Sequence, residues 1–243
     1  MAEVVYPPVI GLCKTLFRVM DYRLDVQGTE HIPRTGGAVL ASNHISYLDF
    51  IFAGLGAVES KRLVRFMAKE SIFRNAVAGP LMRGMHHISV DRSAGQASYQ
   101  VALEKLRAGE VVGVFPEATI SRSFTVKELK TGSARLAAEA GVPLIPMALW
   151  GTQRLWTKGK PRDLGQRHVP LSILVGAPMT VTADDDLDVV TAELRVRMAD
   201  LLEQVQKAYP DHTPGAWWQP AHLGGTAPTL REAAELDANK PES

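Results

Sequence analysis

Cysteine is almost missing from this chain: Cys13 stands alone, so no internal disulfide can form, and a reducing compartment suits it. Long apolar runs are missing as well. No stretch of 18 or more uncharged apolar residues occurs, which argues against a bilayer-spanning helix. The N-terminus has neither a basic segment ahead of its apolar stretch nor a small-residue cleavage pattern after it, so a secretory signal is not expected. No cysteine cluster or His-Glu-x-x-His helix is present to hold a metal, and none is expected. There is no Gly-x-Ser-x-Gly elbow either, which argues against a hydrolase with a serine nucleophile. An excess of one charge is missing only from the total. The net charge is +1, yet residues 1–183 carry +8 and residues 184–243 carry −7.

What is present is a folded protein. With 243 residues, 46% hydrophobic and 22% charged, the chain is long enough for one large domain with decorations. Its first twenty residues are dominated by Val4, Val5, Tyr6, Val9, Ile10, Leu12, Leu16, Phe17, Val19 and Met20, with Lys14 and Arg18 at i, i+4. Pro7 and Pro8 suit a helix start. Such a helix packs on a core or lies in a membrane interface with its cations at headgroup depth.

From Tyr22 onward, short apolar runs alternate with helical segments. Strands are expected at 23–27, 38–42, 65–68, 87–90, 111–115, 144–149 and 171–175, and helices at 47–56, 75–83, 96–108 and 132–140. This alternation predicts an α/β fold with a mixed, mostly parallel sheet flanked by helices. The acidic cluster Asp184-Asp185-Asp186 precedes apolar residues at Leu187, Val190, Leu194, Met198, Leu201 and Val205, so it is read as the cap of an amphipathic helix. Beyond Pro210 the chain is rich in Pro, Gly, Thr and Ala, and its final stretch is expected to be partly disordered. The adjacent indoles Trp217 and Trp218 nevertheless call for a docking surface.

The densest chemical signal is Asn43-His44-Ile45-Ser46-Tyr47-Leu48-Asp49, directly after the strand Ala-Val-Leu-Ala-Ser. In one continuous helix His44 and Asp49 would point to different faces. If Ser46 is the N-cap, Asp49 falls where an acidic side chain folds back toward the helix start and reaches a His44 held in the turn. The carboxylate then fixes the imidazole tautomer and leaves the second ring nitrogen as a general base. A turn histidine beside a purely capping carboxylate fits the same residues.

Three further segments accompany it. Met85-His86-His87-Ile88-Ser89-Val90-Asp91-Arg92 reads as a strand ending in a charged pair. Val111-Val112-Gly113-Val114-Phe115-Pro116-Glu117-Ala118-Thr119 stops at proline and presents a glutamate, and Gly141-Val142-Pro143-Leu144-Ile145-Pro146-Met147 is bracketed by prolines. Adjacent histidines in a strand face opposite ways, so at most one of His86 and His87 shares a site with Asp91. Strand ends in an α/β sheet are where ligands bind.

These segments resemble, in order and spacing, the four blocks of the glycerophospholipid acyltransferase family of the 1-acylglycerol-3-phosphate O-acyltransferase kind. Its Asn-His-x₄-Asp, a strand ending in Arg, Phe-Pro-Glu-Gly-Thr-Arg and Val-Pro-x-x-Pro correspond to residues 43–49, 84–92, 115–120 and 142–146. The resemblance implies transfer of a fatty acyl group from a thioester, acyl-CoA or another, to the free hydroxyl of 1-acylglycerol 3-phosphate. His44 would be the base and Asp49 its orienting partner. Arg92, Glu117, Thr119, Arg122 and Lys69 are the expected substrate-binding residues, with Arg92 on phosphate and Glu117 on glycerol hydroxyls or basic neighbours; Lys130 is a further cation.

One position departs from the family. Ile120 stands where the phosphate-binding arginine belongs, so either Arg122 takes over or the acceptor is another lysophospholipid or a glycolipid. A non-catalytic lipid-binding protein is the reading from another class. The division expected is an apolar membrane-associating helix at 1–21, an acyltransferase αβ domain at 22–209 and a tail at 210–243. No cofactor is implied beyond the thioester co-substrate. The +5 charge of residues 60–92 points to an anionic membrane surface, and no nucleic-acid motif accompanies it. The expected location is peripheral, at the cytoplasmic face of the cell membrane.

Overall fold

The computed structural model describes residues 3–91 and 95–238. Seven strands form one sheet: β1 (Arg23–Gln27), β2 (Ala38–Ser42), β3 (Val64–Lys69), β4 (Ile88–Val90), β5 (Val111–Val114), β6 (Leu144–Trp150) and β7 (Pro170–Val175). Their order is β1-β7-β6-β2-β5-β3-β4, and only the β6–β7 pair is antiparallel. Strands β2 to β6 therefore point their carboxyl ends at one edge of the sheet, which is where the polar motifs fall. The mixed, mostly parallel α/β architecture expected from the alternation is the one that forms.

Eight α-helices flank the sheet among the described residues: α1 (Tyr6–Val19), α2 (Asp49–Val58), α3 (Glu70–Arg74), α4 (Ala78–Gly84), α5 (Gly95–Arg107), α6 (Gly132–Ala140), α7 (Leu187–Ala208) and α8 (Leu230–Ala238). Strand alternation divides the core in two. Leu144, Ala148 and Trp150 of β6 pack with α5, α6 and the Val190, Leu194, Met198, Leu202 and Val205 stripe of α7. Ile145, Met147 and Leu149, from the same strand, pack on the opposite face with Phe52, Ala53, Leu55 and Ala57 of α2 and Phe17 of α1.

The acidic cluster does cap α7: Asp186 Oδ1 accepts from the Asp188 and Val189 amides at 2.8 and 3.4 Å. Helix α1 is fixed at both ends. Tyr6 donates its hydroxyl to the Val64 carbonyl at 3.0 Å, and Phe17 stacks on Phe52 with ring centroids 5.0 Å apart. Between these anchors Leu12 and Leu16 face solvent, as do Lys14, Arg18 and Val19. Among the described residues no helix is long and apolar enough to cross a membrane.

Two expectations need correction. The helix expected at 75–83 begins only at Ala78, because Asn75 Oδ1 accepts from the Val77 and Ala78 amides at 3.0 Å each and so serves as a turn ahead of α4. His87 lies before β4 rather than in it, and its Nδ1 accepts from the buried Phe66 amide at 3.1 Å. Burial pushes that imidazole down to about 4, so it stays neutral and structural. The indoles of the expected tail do find a docking surface, while residues 239–243 lie outside the described residues. Trp218 is buried beneath the Arg154 guanidinium, 4.5 Å from its ring centroid, and α8 closes the described chain.

Candidate active site

Strand β2 delivers the site. Asn43, fully buried just past its end, clamps β6 by donating Nδ2 to the Leu149 carbonyl at 3.0 Å and accepting the Leu149 amide at 2.7 Å. The next residue, His44, emerges from the sheet with its side chain 21% exposed. Its Nδ1 lies 2.9 Å from Asp49 Oδ2. The same oxygen accepts the Ile45 and Ser46 amides at 2.7 Å each, and Thr152 donates its hydroxyl to Oδ1 at 2.7 Å. Asp49 is thus buried among four donors, and only the His44 ring retains access to solvent. With Nδ1–H committed to the carboxylate, Nε2 is the nitrogen left to act on a ligand.

The expected dyad geometry is present, carried by reciprocal bonds between Ser46 and the start of the helix. Helix α2 begins at Asp49 itself; just ahead of it Ser46 donates its hydroxyl to the Trp156 carbonyl at 2.7 Å and accepts the Leu48 amide on the same oxygen at 3.1 Å. Asp49 reaches back from the first helical position, where a negative side chain is also favoured by the helix dipole.

Aromatic packing sets the ring plane. Phe115, just after β5, stacks on His44 with centroids 4.3 Å apart and planes 20° from parallel, and Phe66 of β3 backs Phe115 at 6.0 Å. Gly113 makes room for this stack, since a Cβ there would sit 2.4 Å from the Phe66 ring. Glu117 supports the turn from below: Oε1 accepts the His44 amide at 2.8 Å and Oε2 the Lys127 amide at 3.2 Å. Burial raises its carboxyl to about 7, against the opposing pull of those two amides and of the Lys127 and His44 charges.

The other expected ligand-binding residues are scattered. Thr119 accepts Lys127 Nζ at 2.6 Å and lies exposed at the rim. Arg122 is ion-paired to Asp237 of α8. Lys69 sits exposed at the carboxyl end of β3, beside Val90 in register, while Lys130 is exposed just before α6. Arg92 lies outside the described residues. Ile120 is 5% exposed, so the position of the expected family arginine is filled by an apolar side chain turned into the protein. Ala118 has φ +61°, the left-handed backbone that explains a glycine in the family pattern.

Sequence reasoning missed Thr152, Lys158 and Asp237. Only Thr152 left a trace, as the polar residue after the Trp-Gly that ends the proline-bracketed strand. Among the described residues no group of three or more His, Cys, Asp or Glu side chains is arranged to hold a metal ion.

Comparison with known proteins gives a consistent picture. Residues 23–150 match the family model described as Acyltransferase. A 1-acyl-sn-glycerol-3-phosphate acyltransferase of Bacillus subtilis is 30% identical over 158 residues, which are 63% of this chain and 72% of that protein. One from Limnanthes douglasii is 32% identical over 170 residues, 67% of this chain and 56% of that protein, so the chain spans only a little over half of the plant relative. The crystal structure of a 1-acyl-sn-glycerophosphate (LPA) acyltransferase from Thermotoga maritima shares the fold, with a TM-score of 0.70 at 21% identity over 84% of this chain and 81% of that one.

Proposed function

The chain belongs to the acyltransferase family, and on that premise we propose that it esterifies the free hydroxyl of 1-acylglycerol 3-phosphate, giving phosphatidate, with acyl-CoA or another acyl thioester as donor. The observation that carries the chemistry is the His44 Nδ1–Asp49 Oδ2 bond of 2.9 Å, which turns Nε2 outward from a rigid, fully donated carboxylate. In this reading Nε2 takes the proton of the acceptor hydroxyl as its oxygen attacks the thioester carbonyl. The new C–O bond forms, the C–S bond breaks, and the proton held on Nε2 passes to the departing thiolate. Asp49 holds the ring and stabilises the transient imidazolium. No acyl-enzyme is needed, because the acceptor supplies the nucleophile.

The names of the relatives support the acceptor, and Arg92, Arg122 and Lys69 are proposed to serve its charge. Attachment to the membrane is proposed to be peripheral, through the exposed Leu12, Leu16 and Val19 of α1 with Lys14 and Arg18 at headgroup level. The cytoplasmic face is proposed as its location, a reading that the lone cysteine supports. The buried Ile120 favours a second reading, in which the acceptor is a different lysolipid or a glycolipid. The test is a panel of acceptors offered to the purified full chain with palmitoyl-CoA in mixed micelles, with products read by mass spectrometry. Phosphatidate from lysophosphatidate is the expected product; turnover confined to acceptors without a phosphate monoester overturns the assignment.

A further inference from the structure

A second polar cluster stands against the His44 turn. Asp237, in the last turn of α8, accepts Arg122 Nε at 2.8 Å and Lys158 Nζ at 2.6 Å on the same oxygen, Oδ1. The two cations come from different loops, one after β5 and one after β6. Each is next in sequence to a residue bonded to the turn: Ser121 donates its amide to the His44 carbonyl at 2.7 Å, and Thr157 donates its hydroxyl to the Ile45 carbonyl at 2.6 Å. The pair is a built feature. A Cβ at Gly159 would fall 2.1 Å from the Arg122 guanidinium, so the residue after Lys158 has to be small for Arg122 to lie there. Lys127 adds a third positive charge close enough to feel both Asp237 and Lys158.

The carboxylate that joins the cations is held weakly by everything else. Helix α8 has nine residues and buries only Ala233, while Leu230 and Leu236 are exposed. Its N-terminus is capped from within, by Thr229 and Glu232. An isolated helix shorter than ~12–15 residues is marginal in water, so α8 depends on what it docks against. A negative side chain in the last turn also opposes the helix dipole. Asp237 is thus unfavourable for α8 itself and favourable only for Arg122 and Lys158.

We propose that Arg122 and Lys158 form the site for the phosphate monoester of the acceptor, and that Asp237 stands in that site as an internal counter-ion which the phosphate displaces, lifting α8 as a strap. The inference rests on the reading that the acceptor carries a phosphate. It also gives that reading a source of charge in place of Ile120. A phosphate monoester brings about −1.5 to −2 charges against one for a carboxylate, and offers three oxygens to donors on two loops, so it competes well once delivered. The strap lowers apparent affinity by the fraction of molecules in which it is open.

The experiment compares the full chain with Asp237→Asn and with Arg122→Gln/Lys158→Gln. Calorimetry with sn-glycerol 3-phosphate and with inorganic phosphate reads binding without turnover, and initial rates read KM and kcat for lysophosphatidate. Asp237→Asn is expected to tighten glycerol 3-phosphate binding and lower KM about tenfold, with the change on KM rather than kcat, and the double variant to lose the binding. Hydrogen exchange on the unaltered protein guards against misfolded variants: glycerol 3-phosphate should deprotect the amides of residues 230–238. Tightened glycerol 3-phosphate binding by Asp237→Asn without turnover of lysophosphatidate would keep the site and remove the proposed function. Unchanged or weaker binding by Asp237→Asn, unchanged exchange in α8, or inorganic phosphate binding with no effect on KM would each overturn the strap.

Discussion

Two aspartates stand beside the same turn, and they are held in opposite ways. Asp49 is fully buried and takes four hydrogen bonds, three of them from residues 44–46 and one from Thr152. Asp237 is partly exposed and takes two, both from long cationic side chains on other loops. The first arrangement has no room to change, because losing any donor leaves a buried acceptor unsatisfied, at a cost of about 1–3 kcal/mol. In the second, an anion that offers the two cations its own oxygens can replace the carboxylate without leaving either of them unpaired. Rigidity suits a group that must orient a base, and exchangeability suits a group that must give way to a ligand.

The largest effect expected from breaking this contrast is on the rigid side. Asp49→Asn cannot accept all four donors and presents an amide to His44 Nδ1, which favours the wrong tautomer. Its kcat should fall by about 10²–10⁴, measured by initial rates of acyl transfer. A fall of less than about threefold would mean that Asp49 is only a cap. Thr152→Val removes one donor from Asp49 Oδ1 without changing shape. It should cost about 1–3 kcal/mol in urea unfolding and slow turnover, whereas a silent variant would show that the fourth donor is dispensable.

The loop that joins the two clusters, residues 115–127, gives the next prediction. The Glu117 carboxyl is raised to about 7 from an ordinary 4.5, chiefly by burial. A raised acid stabilises the fold fully below the unfolded value, and that contribution fades as pH climbs through the folded one. The stability of the protein should therefore decline between about pH 4.5 and 7 through this group. Glu117→Gln should flatten the profile in urea melts across that window, and identical slopes would remove Glu117 as the source. The smallest effect is at Ala118. Its left-handed backbone disfavours any side chain by roughly 1–2 kcal/mol, partly offset by glycine's greater freedom when unfolded. Ala118→Gly should therefore stabilise the protein slightly, by up to about 1 kcal/mol in urea unfolding; destabilisation would show that its methyl packs usefully.

The same contrast separates what was legible in the sequence from what was not. The strands, the parallel sheet and the His44–Asp49 contact follow from short-range pattern, because strand period and a turn into a helix fix them within a few residues. Ser46 bonds the Leu48 amide as the local pattern suggests, but it also bonds Trp156, a partner 110 residues away that no local rule supplies. Thr152 reaches Asp49 across 103 residues, and Arg122 reaches Asp237 across 115. Arg122 was legible as a cation but not as an occupied one. Its partner lies in a segment whose composition suggested disorder, and its docking is decided by charges and indoles on the folded surface.

The central claim is that His44 removes the proton from the acceptor hydroxyl, and one comparison tests it most directly: phosphatidate formation from lysophosphatidate and palmitoyl-CoA by the purified chain and by His44→Ala, at equal folded concentration. Loss of the base should reduce kcat by about 10³ or more, equivalent to about 4 kcal/mol of barrier. A His44→Ala protein that makes phosphatidate at the rate of the unaltered chain would contradict the account.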